Sequence, residues 1–265
     1  TLSSSSAASD VYKRQRLMNH DKFHDSAGVP WEGRSFEGNS WSGDDGSCPA
    51  PLAELLVAER LDQVAFLNAL RDQRLLIPLV AQLGEGEVGP NGLMVEKSAD
   101  LAIVAVKTPD GKSAIPAFTS VAQMQAWKPE ARPVPVDARK IALACASEGH
   151  ERLVIDPAGV PVVIRRPALA ALAQGLKWQK PELNPEVVSH VKALGAGFSE
   201  VFSVDLFDGD PANNLSHAEL QIQLGLRPGL SPDGLKAFLH KFTEELQTTE
   251  FNTQVDSISL KLVMV

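Results

Sequence analysis

From Pro51 the apolar positions fall into a helical rhythm. In "PLAELLVAERLDQVAFLNALRDQR", Leu52, Leu55, Leu56, Val64, Leu67 and Leu70 share largely one face, and Pro51 suits a first helical turn. One long helix or two short ones fit that spacing. The next apolar run, "LLIPLVAQL", has β character, and Pro78, which lacks an N–H, predicts a position at a sheet edge or bulge. "DLAIVAV" (100–106) is apolar on both faces and predicts a buried central strand.

The turn "TPDG" follows, in which Pro109 presets φ and Gly111 tolerates a positive φ, so "SAIPAF" is expected to return as the antiparallel partner. "TSVAQMQAW" and "DARKIALACASEG" read as helices, the second with Asp137 as N-cap and Gly149 as its stop. "RLVIDPAGVPVVIRR" reads as a second hairpin, and "PALAALAQG" as a short helix ended by Gly175. After the proline-containing stretch "LKWQKPELNP" the pattern is new: helix, strand, strand, helix, strand. Leu220, Ile222 and Leu224 alternate there with Glu219, Gln221 and Gln223, as a half-buried strand requires. Ser231 and Pro232 open the long helix as N-cap and first residue.

These elements predict an α+β protein. A mixed α/β domain with hairpins (51–175) is followed by a linker (176–184) and a smaller αββαβ open-sheet sandwich (185–265). Residues 18–50 are rich in Gly, Ser and Asp, and Trp31, Phe36 and Trp41 recur there without helical period. This is an extended arm, either a disordered tail or one whose aromatics fasten it to the domain or to a partner. The Ser-rich "TLSSSSAASDVYKRQ" is similar to a translated adaptor tail, so 1–17 are expected to be a non-native leader, with the protein proper starting at Met18.

Charge narrows the partners. A net charge of −8 argues against nonspecific nucleic-acid binding, which depends on Lys and Arg neutralising phosphates. No apolar run approaches the roughly 20 residues of a membrane helix, so no membrane partner is expected. Cys48 and Cys145 stand far apart, outside any C-x-x-C spacing, which suits a reducing cytoplasm.

Several motifs invite chemistry and are read against it. "GEGEVG" (84–89) spells G-x-G-x-x-G, but Pro90-Asn91-Gly92 follows instead of a helix, and Glu85 and Glu87 would repel phosphate. His20 and His24 have i, i+4 spacing without a nearby third ligand, so no metal and no cofactor are expected. In "PAFTS", Phe118, Thr119 and Ser120 form a strand-to-helix corner. A nucleophilic hydroxyl needs an adjacent base, and none is close in sequence; starting the next helix is the simpler role. Trp31, Phe36, Trp41, Phe118, Thr119 and Ser120 are the candidate binding residues, and no catalytic residue is assigned.

The stretch "EKSADLAIVAVKTPDGKSAIPAFTSVAQMQAWKPEARPVPVDARKIALACASEGHERLVIDPAG" resembles the N-terminal domain of the SseB family, particularly its actinobacterial branch. A "K-S-x-D" opening, a "P-D-G" turn and a "P-A-F-T-S" return occur there in this order, and "DSAGVPWEGRSFE" is similar to that branch's leader. The final segment resembles the family's C-terminal domain. The resemblance implies no catalytic residue and no cofactor. It suggests a cytoplasmic, non-enzymatic protein that binds a partner protein or a small molecule in a regulatory role. The alternatives are an enzyme tied to amino-acid (serine) metabolism, with Thr119 or Ser120 in a pocket, and a secretion-system component.

Overall fold

The structure is a computed structural model and describes residues 41, 43–82, 87–88, 94–95, 100–103 and 105–264, with the backbone alone for 81–104. The N-terminal stretch from Pro51 resolves into two short helices, α1 (Ala50–Leu56) and α2 (Gln63–Leu70). Asp62 divides them: its carboxylate accepts the N–H groups of Val64 and Ala65, both at 3.0 Å, and so starts α2 afresh.

Strand β1 (Arg74–Gln82) lies in the middle of a three-stranded antiparallel sheet, between β4 (Asp100–Ile103) and β7 (Arg132–Asp137). This corrects the edge position expected from Pro78. Leu76 exchanges backbone hydrogen bonds with Phe118 on the side away from β7. Two residues on, Pro78 turns the same way, so its missing N–H takes nothing from the β1–β7 ladder, where it faces Pro133. The "DLAIVAV" run is also corrected. It divides into β4 and β5 (Val106–Lys107), each an edge strand of a different sheet, with Ala105 exposed between them. Short pairs β2 (Glu87–Val88) and β3 (Met94–Val95) form a separate two-stranded ladder.

A second sheet has the order β5-β6-β8-β9, with β6 (Ser113–Ala117), β8 (Arg152–Ile155) and β9 (Val162–Arg165). Both expected hairpins are present; Gly111 has φ +80° in the β5–β6 turn, and β6 runs parallel to β8. Helices α3 (Val121–Trp127), α4 (Ala138–Glu148) and α5 (Arg166–Gln174) complete this lobe. Gly149 and Gly175 end α4 and α5 in the left-handed conformation, at φ +76° and +71°. Asp137 precedes α4 but makes no capping bond; its carboxylate pairs with Lys140 at 3.2 Å. Helices α1, α2, α4 and α5 bury Leu52, Phe66, Leu70, Ile141 and Leu172 against Leu75, Leu153 and Ile155 of the strands.

A 3₁₀ turn at Pro181–Leu183 leads to the second lobe: α6 (Pro185–Ala196), β10 (Val201–Asp208), β11 (Leu220–Leu226), α7 (Pro232–Leu246), α8 (Thr249–Gln254) and β12 (Ile258–Met264). The central β11 pairs antiparallel with β10 and parallel with β12. One face of the sheet, Leu220, Ile222, Leu224 and Leu226, packs on Val191, Phe238, Phe242 and Phe251 of the helices. The fold class is α+β, with open sheets in both lobes. Asp44–Val265 is one compact unit.

Candidate functional site

The Phe-Thr-Ser corner divides its duties. Phe118 is fully buried, pairs its backbone with Leu76 and packs its ring 5.4 Å from that of Trp127. Ser120 is the N-cap of α3 and accepts the Gln123 N–H at 3.2 Å. Thr119 turns the other way: its N–H and hydroxyl donate to the two carboxylate oxygens of Asp156, at 2.9 and 2.6 Å. Asp156 has φ +52°, a costly value for a non-glycine residue, and these bonds help to hold it there. Burial pushes the Asp156 carboxyl up, while the Thr119 hydroxyl pulls it the other way.

The Thr119 carbonyl accepts from Arg74, which also donates to both oxygens of Asp44 and to the Ser47 carbonyl. The Arg74 guanidinium holds the Asp44 carboxyl below its ordinary range. Cys48 lies beside Thr119, and burial raises its thiol, the opposite of what a thiolate nucleophile requires. This corner is therefore a fully bonded strut fixing residues 44–48 to the sheets. Of the other candidates from sequence, Trp41 is a half-buried turn residue; Trp31, Phe36, the histidine pair His20 and His24, and the core of the "GEGEVG" loop lie outside the described residues.

A larger ionic assembly joins the two lobes. Arg152 and Arg165 face each other across β8 and β9, where like charges would repel. Asp256, just ahead of β12, separates them. Its side chain is 0% exposed and accepts from Arg152 at 2.8 and 2.7 Å and from Arg165 at 3.2 Å. Arg152 also donates to Asp110 at 2.8 Å, and Arg165 to Asp210 and to the His217 carbonyl at 3.1 Å. Glu219 completes the group by accepting the Asp256 N–H at 2.7 Å. Burial pushes Glu219 up to about 7, opposed first by the hydrogen bond from the Asp256 N–H and then by the two arginines, while the Asp256 charge adds a smaller rise.

Beside this assembly runs a polar cleft between α2, β9, the linker and the β10–β11 loop. It has two adjoining parts, each with free space for about one water molecule before it opens to solvent. Gln63, Arg165, Trp178, Asn213 and Glu219 line both parts. Asn213 is fixed by its amide donating to the Val163 carbonyl at 2.8 Å, and Lys180 by its pair with Asp208 at 2.6 Å. Burial raises the carboxyl of Glu182. Two buried polar atoms of the lining, Trp178 Nε1 and Asp210 Oδ1, have no hydrogen-bond partner among the described residues. Such atoms cost about 1–3 kcal/mol each when left unmatched.

The sequence did not disclose this cleft. Nothing in the linear chain singles out Arg152, Arg165 and Asp256, and only folding shows their side chains to be buried. The Asp-rich "DGDPANN" and a tryptophan in a proline-containing linker were the available signals. A second arrangement also escaped notice. Ser113 Oγ lies 2.8 Å from His150 Nδ1, and His150 Nε2 lies 3.4 Å from Glu148. The Glu148 side chain is 56% exposed, so water weakens its hold on the ring, and the row ties the end of α4 to β6. A further hollow of ≈ 540 Å³ between β1, β7 and α4 is walled by Ile77, Val136, Ile141 and Cys145, whose thiol burial pushes up to about 11.

Among the described residues no group of three or more His, Cys, Asp or Glu could hold a metal ion, and no helix is long and apolar enough to cross a membrane. No curated protein and no solved structure matches the chain. Residues 51–171, from α1 into α5 in the larger lobe, match the family model of the SseB protein N-terminal domain.

Proposed function

We propose that the whole chain is an SseB-family protein of the actinobacterial type, with 185–265 as the family's C-terminal domain, and that it is a cytoplasmic, non-enzymatic binding protein with a regulatory role. The free thiols Cys48 and Cys145 fit a reducing compartment. The site is the polar cleft between the lobes, and its ligand is a small molecule. The observation that carries this reading is the pair of unmatched buried atoms, Trp178 Nε1 and Asp210 Oδ1, in one lining at a lobe junction. Junctions of this kind, with a few convergent polar groups, are where small ligands bind. A ligand there touches both lobes at once, so its binding is coupled to how firmly they dock.

A thermal-shift screen of amines, amino acids and nucleotides tests the reading, because a ligand that prefers the folded chain raises its melting temperature. At least one compound is expected to raise it saturably, and Gln63→Ala, at the half-buried cleft wall, to weaken that response. A response that Gln63→Ala and Trp178→Phe both leave intact would move the site elsewhere.

A further inference from the structure

We propose that the cleft takes the head of a small primary amine that carries a neighbouring carbonyl or hydroxyl oxygen. This rests on the cleft being a ligand site and adds the class of ligand. The lining holds two cations, Arg165 and Lys180, against four acidic residues, Glu182, Asp208, Asp210 and Glu219. Both cations are already engaged, Arg165 with Asp210 and Lys180 with Asp208. Glu182 and Glu219 therefore have no cation of the lining bonded to them, and burial penalises the charged form of each. An incoming positive charge relieves that penalty, whereas an anion worsens it.

Hydrogen-bond inventory fixes the rest. An ammonium brings three N–H donors. Among the described residues Asp210, 4% exposed, has one unmatched oxygen, Glu219 has one oxygen on the Asp256 N–H and the other unbonded, and the half-buried Glu182 carboxylate is bonded only by its own backbone N–H. Trp178 Nε1 is a donor, so the ligand must also supply an acceptor. The enclosed part of the cleft has room for a group the size of a water molecule, which matches an ammonium head with the remainder of the ligand toward solvent.

The test uses the full chain at neutral pH with glycinamide as probe, and glycine, acetamide and tetramethylammonium as comparisons. The readout is the indole N–H resonance of Trp178, assigned by its loss in Trp178→Phe. Glycinamide is expected to move it saturably. Glycine, whose carboxylate adds to the negative surplus, is expected to bind at least tenfold more weakly; acetamide and tetramethylammonium are expected to leave the resonance in place. Glu182→Gln, at a half-buried position that tolerates the change, is expected to weaken glycinamide at least tenfold, as is Asp210→Asn. If acetamide or glycine binds as well as glycinamide, the amine class is wrong while the cleft remains a ligand site. If glycinamide binds with unchanged affinity in both variants, the assigned carboxylates are refuted. Should no probe move Trp178, the amine class falls. The cleft reading falls with it only if compounds that raise the melting temperature also leave that resonance still.

Discussion

Thr119 and Ser120 are neighbours with separate partners, and their replacements are expected to differ accordingly. Ser120→Ala removes one capping bond and is expected to cost about 1 kcal/mol in urea denaturation. Thr119→Val strips a hydroxyl donor from the buried Asp156 carboxylate and is expected to cost more, about 1–3 kcal/mol. Glu219 makes a prediction in pH. Its folded value of about 7 lies above the ordinary 4.5, so the folded chain holds this proton more tightly than the unfolded one. That contribution is complete below pH 4.5 and is lost as pH rises through 7, a change of roughly 3 kcal/mol. Urea titrations across this interval, compared between the native chain and Glu219→Gln, are expected to show a decline that the variant lacks.

Among the elements, α6 and β10 approach closely because Gly195 has no side chain. A Cβ there would stand 2.4 Å from Val204 Cγ2. Gly195→Ala is expected to lose about 1–3 kcal/mol by overpacking, and Val204→Ala in the same chain to recover part of the loss. A double-mutant cycle by denaturation reads the coupling. At this scale the sequence was informative wherever a local signal acts within a turn or two. The turn around Gly111, the glycine stops of α4 and α5, and the Ser231-Pro232 opening of α7 all stand as their residues dictate. It misled where neighbours decide. Pro78 tolerates a central strand because its missing N–H faces away from β7, and β4 is an edge despite its apolar run. Helix α8 was not foreseen; Thr248 caps it by accepting the Phe251 N–H at 3.2 Å, and Phe251 packs into the core of the second lobe. The cleft was less legible still, since its walls come from α2, β9, the linker and the β10–β11 loop.

For the whole molecule, Asp256 is the carboxylate of the second lobe that both arginines of the first lobe share, beside the separate Arg165–Asp210 and Asn213–Val163 bonds. Replacing it by Ala leaves Arg152 and Arg165 opposed across the strands without the carboxylate between them. Removing one partner from a buried ion pair typically costs about 3–5 kcal/mol. Calorimetry is expected to show one melting transition for the native chain and two for Asp256→Ala, as each lobe retains its own apolar core.

The position of that aspartate also orders events during synthesis. Both arginines are made roughly a hundred residues before the carboxylate that reconciles them, since Arg152 and Asp256 are 104 positions apart. Until Asp210 and then Asp256 emerge, a ribosome-tethered first lobe has Asp110 on Arg152 but no carboxylate bonded to the adjacent Arg165. Excised fragments that stop after α5 inherit the same mismatch permanently, so they should express poorly beside the longer polypeptide.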